Sequence, residues 1–432
     1  MRTELQRPRG TQDVLPPESW KVEGLRQVAL TVARRYGFEP VETPIFEQSA
    51  VFLRVGEHTD IVQHERYTFR DAGGVELTLR PEGTAAVARA YVENGLQAWP
   101  KPVRLCYFGP MFRRERPQAG RFRQHTQFGA ELYGSESPLA DAEVILLALA
   151  VVEAAGLADP EVRVNSIGCE RCRPRYREAL VGYFAARREA LCPDCQVRLE
   201  RNPLRLLDCK VDVAVRAEAP DLADYWCDDC RAHFAAVEAA VASAGRRVER
   251  DPHLVRGLDY YTRTVFEVGH PSLGAGVALF GGGRYDGLVA SLDGPTVPAV
   301  GFGMGIERLL GALGDRLAVT APTPLYVGHL PGYAEEAFRL AEWLRNQGVA
   351  AESDLLGRSV RAQLKDAARR TRWAVLVGGR EWEAGQVVVR DLGQGTQAPW
   401  PKERLLEWEG VAAARLAVGV PWAEPKAAPD LR

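Results

Sequence analysis

Short alternating segments separated by turn residues fill much of the first 320 residues, and this pattern constrains the fold most strongly. In RYTFRDAGGVELTLR, residues 66–80, the turn DAGG separates two alternating segments and predicts a β-hairpin. Strand-like sequence returns in TRTVFEV, AGVALFGGGRYDGL and PAVGFGMGIERLLGALG. A doubly wound parallel fold would instead alternate buried strands with helices at regular intervals. We therefore predict a mostly antiparallel sheet.

Two apolar segments predict helices that flank this sheet. Between Trp20 and Tyr36, apolar residues recur at helical spacing, and Gly37 supplies a stop. The segment DAEVILLALAVVEAAG, residues 141–156, is strongly apolar, begins with an acidic residue and ends in glycine. Residues 1–320 are thus predicted to form one α+β domain.

Changes in composition along the chain predict further units. From about 164 to 252 the sequence is helical, charged and rich in cysteine, which indicates an insertion into the first domain. A linker is predicted between Pro322 and Pro324. Over residues 324–410, a strand–helix–strand–helix–strand–strand pattern, with a strand near 349 and a second helix over 359–371, predicts a small α/β domain. Residues 411–432 are typical of a C-terminal extension.

Composition excludes several classes of protein. The net charge of −2 argues against a protein that coats nucleic acid without specificity, although it leaves room for a local basic site. No apolar run approaches the ~18 to 20 residues that span a bilayer, and the start of the chain does not resemble a secretory signal. These features predict a cytoplasmic protein with no membrane partner.

Arginines are concentrated in the segment GPMFRRERPQAGRFRQ, residues 109–124. One interpretation is a solvated hairpin surface. In the other, the apolar arm RLCYFGPMF is buried and Arg113 lies where the sheet ends, pointing into a cleft. A guanidinium group at that position can bind phosphate through bidentate hydrogen bonds.

A glycine-rich segment, GFGMGIERLL at residues 301–310, leads into a helix that carries Arg308. Ile306 occupies the place of the third small residue of a dinucleotide-binding fingerprint, which excludes that interpretation. The glycines either let a ligand lie against the backbone or serve only close packing of helix on sheet. Because the chain has no phosphate-binding P-loop motif, ATP would have to bind through the arginine-bearing segments.

Tyrosines and carboxylates beside glycine turns suggest a pocket for a small polar ligand. They occur in VRGLDYYTRT, residues 255–264, and in GGGRYDGL, residues 281–288. The alternative is a sheet surface with paired arginine and aspartate side chains. TLRPEGT and QFGAE add acceptor groups suited to an amine or an imidazole N–H, on Glu82, Thr84, Gln127 and Glu131. Since no Ser-His-Asp or Cys-His arrangement is apparent, a mechanism based on positioned charge is favoured.

Three Cys-x-x-Cys pairs lie in the predicted insertion. The first two pairs have a spacing compatible with one four-thiolate zinc site, and a third pair is available. Six thiolates exceed one tetrahedral ion, so either one pair is left over or two pairs are chosen by their proximity in the fold. We hypothesise a structural Zn²⁺, the alternatives being reduced, unligated cysteines and disulfides. The candidates are Cys169, Cys172, Cys192, Cys195, Cys227 and Cys230.

Taken together and in this order, the motifs resemble the histidyl-tRNA synthetase family, within the class II aminoacyl-tRNA synthetases, over nearly the whole chain. PRGTQD resembles the family's opening, and TPIFEQSAVF resembles motif 1, which forms the dimer. GPMFRRERPQAGRFRQ and GFGMGIERLL resemble motifs 2 and 3. LVRGLDYYTRT and GGGRYDGL resemble the two peptides peculiar to histidine-specific members.

This resemblance implies a catalytic domain followed by an anticodon-binding domain, in a homodimer. It also implies two reaction steps. L-histidine and ATP, with Mg²⁺, give histidyl-adenylate and pyrophosphate, and the histidyl group then passes to the 3′ terminal ribose of tRNA(His). A non-catalytic paralogue, the regulatory subunit of ATP phosphoribosyltransferase, would lack both the LVRGLDYYTRT peptide and the anticodon-binding domain.

The resemblance also implies roles for individual residues. Arg113 and Arg256 are similar to the two catalytic arginines at the α-phosphate. Glu115 would meet adenine, and Arg121 and Arg308 would complete the ATP site. The residues implied around histidine are Glu82, Thr84, Gln127, Glu131, Tyr260, Tyr261 and Tyr285. One departure is His125, which stands where the family often has an aromatic residue to stack on adenine.

Overall fold

The computed structural model describes residues 5–56, 65–115, 122–258, 260–273, 278–317 and 323–415. The chain divides into two units, Met1–Val319 and Thr320–Arg432. Each unit has its own sheet and its own apolar core. In the described part of the chain, no helix is both long and apolar enough to cross a bilayer.

An eight-stranded sheet forms the centre of the first unit, in the order β1-β5-β6-β11-β10-β9-β7-β8. Its interior pairs are all antiparallel, and only the two edge pairs, β1 with β5 and β7 with β8, are parallel. The predicted antiparallel sheet is therefore confirmed. Its strands are β1 (Glu39–Pro40), β5 (Val103–Phe112), β6 (Gln124–Tyr133), β7 (Glu161–Ser166), β8 (Glu249–Arg250), β9 (Thr262–Gly269), β10 (Ala278–Arg284) and β11 (Ala299–Gly305).

The predicted hairpin is present in a second, three-stranded sheet, in the order β2-β4-β3. Its strands are β2 (Phe46–Gln48), β3 (Tyr67–Arg70) and β4 (Glu76–Leu79). In the turn between β3 and β4, the Asp71 carboxylate accepts the N–H of Val75 at 2.8 Å. Gly74 adopts φ +83°, which a residue with a side chain rarely adopts.

Helices flank the central sheet, as predicted. The strongly apolar segment forms a helix whose first turn is capped by the Ser137 side chain, which accepts the N–H of Leu139 at 3.2 Å. It packs against the first helix of the chain and against β11. In the described part of the first unit, the helices outside the insertion are α1 (Glu18–Arg35), α2 (Ser49–Gly56), α3 (Thr84–Glu93), α4 (Pro138–Ala154), α9 (Leu288–Ser291) and α10 (Ile306–Leu313).

The predicted insertion begins later than the composition indicated. Residues 164–166 are the end of β7, where Val164 is fully buried in the sheet. The helical segment follows this strand, and the chain returns to the sheet through β8. Its helices are α5 (Arg173–Ala185), α6 (Pro193–Arg201), α7 (Val213–Ala217) and α8 (Asp228–Ser243), and α8 packs on α4.

The second unit has a five-stranded sheet in the order β13-β12-β14-β15-β16. The first three of these strands are parallel, and β15 and β16 add antiparallel pairs. The predicted strand near 349 lies at 351–353, and the helix predicted over 359–371 ends at Ala367. The elements are β12 (Leu325–His329), β13 (Ala351–Ser353), β14 (Trp373–Val377), β15 (Gln386–Asp391), β16 (Thr396–Pro401), α11 (Ala334–Asn346), α12 (Val360–Ala367), α13 (Gly379–Glu383) and α14 (Glu409–Ala414).

Candidate active site

A polar cleft lies over the central strands of the large sheet, and most of the predicted site residues meet there. Glu131 and Tyr285 do not line the cleft itself but lie buried next to it. Arg121 falls outside the described residues. The predicted residues that line the cleft are Glu82, Thr84, Arg113, Glu115, Gln127, Arg256, Tyr260, Tyr261 and Arg308.

Glycines on adjacent strands let the side chains of the site lie directly on the backbone. A Cβ atom on Gly301 would overlap both the Glu131 carboxylate and the Tyr285 hydroxyl. A Cβ atom on Gly303 would overlap the amide of Gln127. Gly301 and Gly303 are therefore required by the side chains that lie over this strand, whereas a Cβ atom on Gly305 would meet nothing within 4 Å.

Glu131 is the most enclosed polar group of the site, with no exposed surface. Its Oε1 accepts the Thr84 hydroxyl at 2.7 Å, and Tyr285 donates its hydroxyl to Oε2. Burial raises the pKa of the Glu131 carboxyl well above its usual range, which the hydrogen bond from Thr84 partly opposes. A positively charged or N–H-donating ligand would stabilise the ionised form of this carboxyl.

Glu82 lies at the start of α3, next to Glu131. Its carboxylate accepts the backbone N–H groups of Thr84 and Ala85 at 2.6 and 2.9 Å. Burial raises the pKa of Glu82, and these two N–H groups oppose the shift. The first turn of the helix thus holds a second acidic group beside the same space.

Gln127 and the tyrosines complete this end of the cleft. Gln127 Oε1 accepts the N–H of Gly83 at 3.0 Å. The ring centroids of Tyr260 and Tyr261 are 4.7 Å apart, and Tyr285 packs edge-on against Tyr260 at 5.5 Å. Burial raises the pKa of Tyr260 well above its usual range, so its hydroxyl stays protonated and available as a donor. Together they form a small pocket with apolar walls and polar ends.

The GGGRYDGL motif divides into two kinds of residue. Tyr285 belongs to the pocket, whereas Arg284 is a buried structural group that forms an ion pair with Asp141 of α4. A second contact joins Arg284 to Asp286 at 3.0 Å. The alternative of paired arginine and aspartate side chains is thus correct for Arg284, and this pair fixes the strand end that carries Tyr285.

Two arginines reach the cleft from different parts of the sheet. Arg113 follows β5, and its Nε donates to the carbonyl of Pro81 at 2.8 Å. Arg256 precedes β9, and its NH1 pairs with Glu267 Oε1 at 2.6 Å. Burial opposes the charge of Arg256, but Tyr261 and Glu267 outweigh it, so its pKa is raised. Glu267, which was not predicted from the sequence, also binds Arg163 at 3.0 Å.

The other end of the cleft is lined by Glu115, Phe122, His125, Glu307 and Arg308. The N–H of Thr126 donates to Glu307 Oε1 at 2.7 Å. Glu307 Oε2 is buried and has no hydrogen-bond partner among the described residues. Neither Phe122 nor Glu307 was predicted as a site residue, although Phe122 lies in GPMFRRERPQAGRFRQ and Glu307 in GFGMGIERLL.

His125 is neutral at physiological pH. Burial, followed by the charges of Arg113 and Arg308, lowers the pKa of His125 to about 3. We therefore expect its ring carbon NMR shifts to stay constant between about pH 5 and 8, because the unperturbed pKa of about 6.5 would fall within that range. The signal is assigned by its loss in His125→Phe, and a midpoint within that range would contradict the prediction.

The cysteines of the insertion form two separate groups in the structure. Cys169 and Cys172 meet Cys227 and Cys230, and we call these four residues the four-cysteine cluster. Cys192 and Cys195 form a separate group, the cysteine–aspartate cluster, whose other members are Cys209 and Asp212. The folded insertion separates the first two pairs of the sequence, so proximity in the fold and not spacing along the chain decides which pairs meet. Cys209 was overlooked because it belongs to no Cys-x-x-Cys pair.

The antiparallel sheet, its cleft and the separate five-stranded unit define a class II aminoacyl-tRNA synthetase fold. Residues 10–171 and 202–309 match the family model described as histidyl-tRNA synthetase. Residues 326–408 match a model described as an anticodon binding domain. The chain belongs to the histidyl-tRNA synthetase family.

Individual relatives resemble the chain over almost all of its length. A histidine–tRNA ligase of Desulforudis audaxviator is 48% identical over 401 residues, which cover 91% of this chain and 95% of the relative. One of Desulforamulus reducens is 47% identical over 400 residues, covering 90% and 95%. The crystal structure of apo histidyl-tRNA synthetase from S. aureus matches with a TM-score of 0.79 at 35% identity, covering 93% of this chain and 99% of that one.

Proposed function

We propose that this chain is a histidine–tRNA ligase, which activates L-histidine with ATP and transfers it to the 3′ terminal ribose of tRNA(His). The observation that carries the proposal is one continuous cleft, with a buried carboxyl pocket at one end and guanidinium groups beyond it. Membership of the histidyl-tRNA synthetase family supports the same reaction.

In the first step, a carboxylate oxygen of histidine attacks the α-phosphate of ATP and pyrophosphate leaves. Arg113 and Arg256 stabilise the negative charge that gathers on the phosphate oxygens. Arg256 is held for this role by Glu267. No protein nucleophile takes part, so the rate depends on positioning and on charge.

Histidine is recognised through the buried acceptors. Glu131, held by Thr84 and Tyr285, accepts an N–H of the imidazole. Glu82, Gln127, Tyr260 and Tyr261 surround the rest of the substrate. An amino acid that lacks the ring donor leaves the Glu131 carboxyl without a hydrogen bond from the substrate. Sites of this kind reject such analogues by roughly 10⁴- to 10⁵-fold.

ATP occupies the other end of the cleft. Glu115 binds the adenine amino group, the neutral ring of His125 stacks on the base, and Arg308 binds the γ-phosphate. Arg121, which lies outside the described residues, keeps the ATP-binding role that the family resemblance implies. Mg²⁺ usually binds through one or two carboxylates plus substrate phosphates. The unpaired Oε2 of Glu307 fits one such ligand position, and the ion would neutralise phosphate charge there.

The second unit serves tRNA recognition, in keeping with its match to an anticodon binding domain. The chain has both this unit and the LVRGLDYYTRT peptide, which supports a ligase over the regulatory paralogue. Because its relatives are translation enzymes, we place its activity in the cytoplasm.

The reaction is tested by histidine-dependent exchange of labelled pyrophosphate into ATP, followed by charging of tRNA(His). We expect both activities from the purified chain, and exchange with no other amino acid at comparable concentration. Failure of the pure, folded protein to catalyse exchange would overturn the proposal.

We further propose a homodimer that uses the three-stranded sheet. This sheet exposes a group of large apolar side chains on the segment that resembles motif 1 and on its hairpin. Phe46 and Phe69 are 47% and 44% exposed, with ring centroids 6.3 Å apart. Exposed apolar groups of this kind are typical of protein–protein contacts.

Phe46→Glu is expected to shift the chain from dimer to monomer, because a charge would be buried without a partner. Analytical ultracentrifugation at micromolar concentration measures the shift. Leu139→Glu, at a 65% exposed position on α4, is the matched control and should remain dimeric. A Phe46→Glu chain that sediments like the wild type would exclude this surface.

A further inference from the structure

Both cysteine clusters have the geometry of a metal site. In the four-cysteine cluster, Cys169 Sγ lies 3.6 Å from Cys172 Sγ and 3.9 Å from Cys227 Sγ. Cys172 Sγ lies 3.7 Å from Cys230 Sγ. Ligands about 2.3 Å from one ion, at tetrahedral angles, lie about 3.8 Å from one another. These sulfur separations are therefore those of a single tetrahedral ion.

The cysteine–aspartate cluster repeats this arrangement with one oxygen ligand. Cys192 Sγ and Cys209 Sγ are 3.8 Å apart, and Cys209 Sγ lies 3.6 Å from Asp212 Oδ2. In each cluster the four ligand atoms all lie within 4.8 Å of one another. Carboxylate oxygen is an accepted partner of thiolate sulfur at zinc.

Backbone N–H groups point at the sulfur atoms, as they do when the sulfur carries negative charge. The N–H of Cys227 donates to Cys172 Sγ at 3.1 Å. Cys209 Sγ accepts the N–H groups of Val211 and Asp212 at 3.4 and 3.3 Å. Several anionic ligands this close together repel one another unless a cation lies between them.

We propose that the insertion holds two structural Zn²⁺ ions, one in the four-cysteine cluster and one in the cysteine–aspartate cluster. Tetrahedral thiolate sets select zinc or iron–sulfur clusters. An iron–sulfur cluster spreads its cysteines over several irons and so separates the thiolates more widely than one ion does. The Sγ separations of 3.6 to 3.9 Å therefore favour zinc. They also exclude disulfides in this state, which need sulfur atoms about 2.05 Å apart.

The two ions join different parts of the insertion. The four-cysteine cluster connects the turn after β7 to the start of α8, two segments that are 58 residues apart in the chain. The cysteine–aspartate cluster connects the start of α6 to the turn that follows Asp208. Each ion thus cross-links two segments and closes the loop between them. Without the ion, the chain would have to order this loop with no cross-link.

Metal analysis of the full-length chain, purified under reducing conditions from zinc-supplemented cells, tests the proposal. We expect about two zinc ions per chain, one for each cluster. Cys172→Ser and Cys209→Ser should each lower this to about one. Cys106→Ser is the matched control, because Cys106 is buried in β5 outside both clusters, and it should retain both ions.

Asp212→Asn and Asp212→Cys keep the test valid if a serine variant fails to fold. The amide binds zinc more weakly than the carboxylate, so Asp212→Asn should lose one ion to a chelator that leaves the wild type intact. Asp212→Cys should retain two. Wild-type protein with iron, or with less than about a tenth of an equivalent of zinc, would overturn the proposal, as would a Cys209→Ser chain that keeps both ions.

Discussion

Arg256→Ala is expected to lower the kcat of histidine-dependent pyrophosphate exchange by about 10²- to 10³-fold, the usual cost of removing one donor to transition-state charge. The guanidinium of Arg256 lines the cleft and is held at 2.6 Å by Glu267. Because its charge acts chiefly on the phosphate as negative charge gathers, the loss should appear in kcat more than in the KM for ATP. Steady-state exchange at saturating histidine and ATP measures it.

Two further variants separate charge from position. Arg256→Lys keeps a positive charge but lacks the planar guanidinium group with its paired N–H donors. It should therefore have a kcat between those of Arg256→Ala and the wild type. Arg163→Ala removes the other arginine that binds Glu267 but does not line the cleft, so it should reduce the rate much less. If Arg256→Ala kept the wild-type kcat, the role proposed for Arg256 would be wrong.

Glu131→Gln is expected to raise the KM for histidine by about 10- to 100-fold, because hydrogen bonds to charged groups contribute about 1.5–3 kcal/mol. Glutamine has nearly the same shape and cannot carry a negative charge. Its amide oxygen can keep one of the two hydroxyl contacts with Thr84 and Tyr285, and its NH2 group can donate to the other hydroxyl. The KM for ATP should stay within about threefold, since we propose that ATP binds at the other end of the cleft. Exchange kinetics with each substrate varied in turn measure both constants.

Glu143→Gln is the matched control, since Glu143 pairs with Arg104 at 2.8 Å and does not line the cleft. It should leave both KM values unchanged. Equal increases in the KM for histidine and for ATP in Glu131→Gln would indicate general damage to the site and would contradict a specific contact with histidine.

The hairpin of the three-stranded sheet was predictable because the sequence pattern that defines it is local. Two segments of alternating apolar and polar residues, separated by a DAGG turn, define the hairpin between β3 and β4 independently of the rest of the chain. Strand β16 was missed because it contains Pro399 and Pro401, which argue against a strand. As the edge of its sheet, β16 tolerates these prolines, and edge position is a property of the assembled fold.

The candidate site was predictable where residue type and motif coincide, as for Arg113 and Tyr261. Glu267 was not, because it lies on a strand whose sequence is ordinary, and only folding brings it to Arg256. The same holds for the cysteine–aspartate cluster. Cys209 has no nearby cysteine in the sequence, and Asp212 is one of many acidic residues until the chain places it beside three thiols.

The four-cysteine cluster closes a loop within the insertion, with Cys169 Sγ and Cys227 Sγ 3.9 Å apart. A segment that leaves and re-enters a fold at almost the same point can change in length at little entropic cost to its host. The histidyl-tRNA synthetase family model passes over residues 172–201, which lie inside this loop. We therefore expect changes in the length of this loop to leave the register of the strands that carry the cleft unaltered.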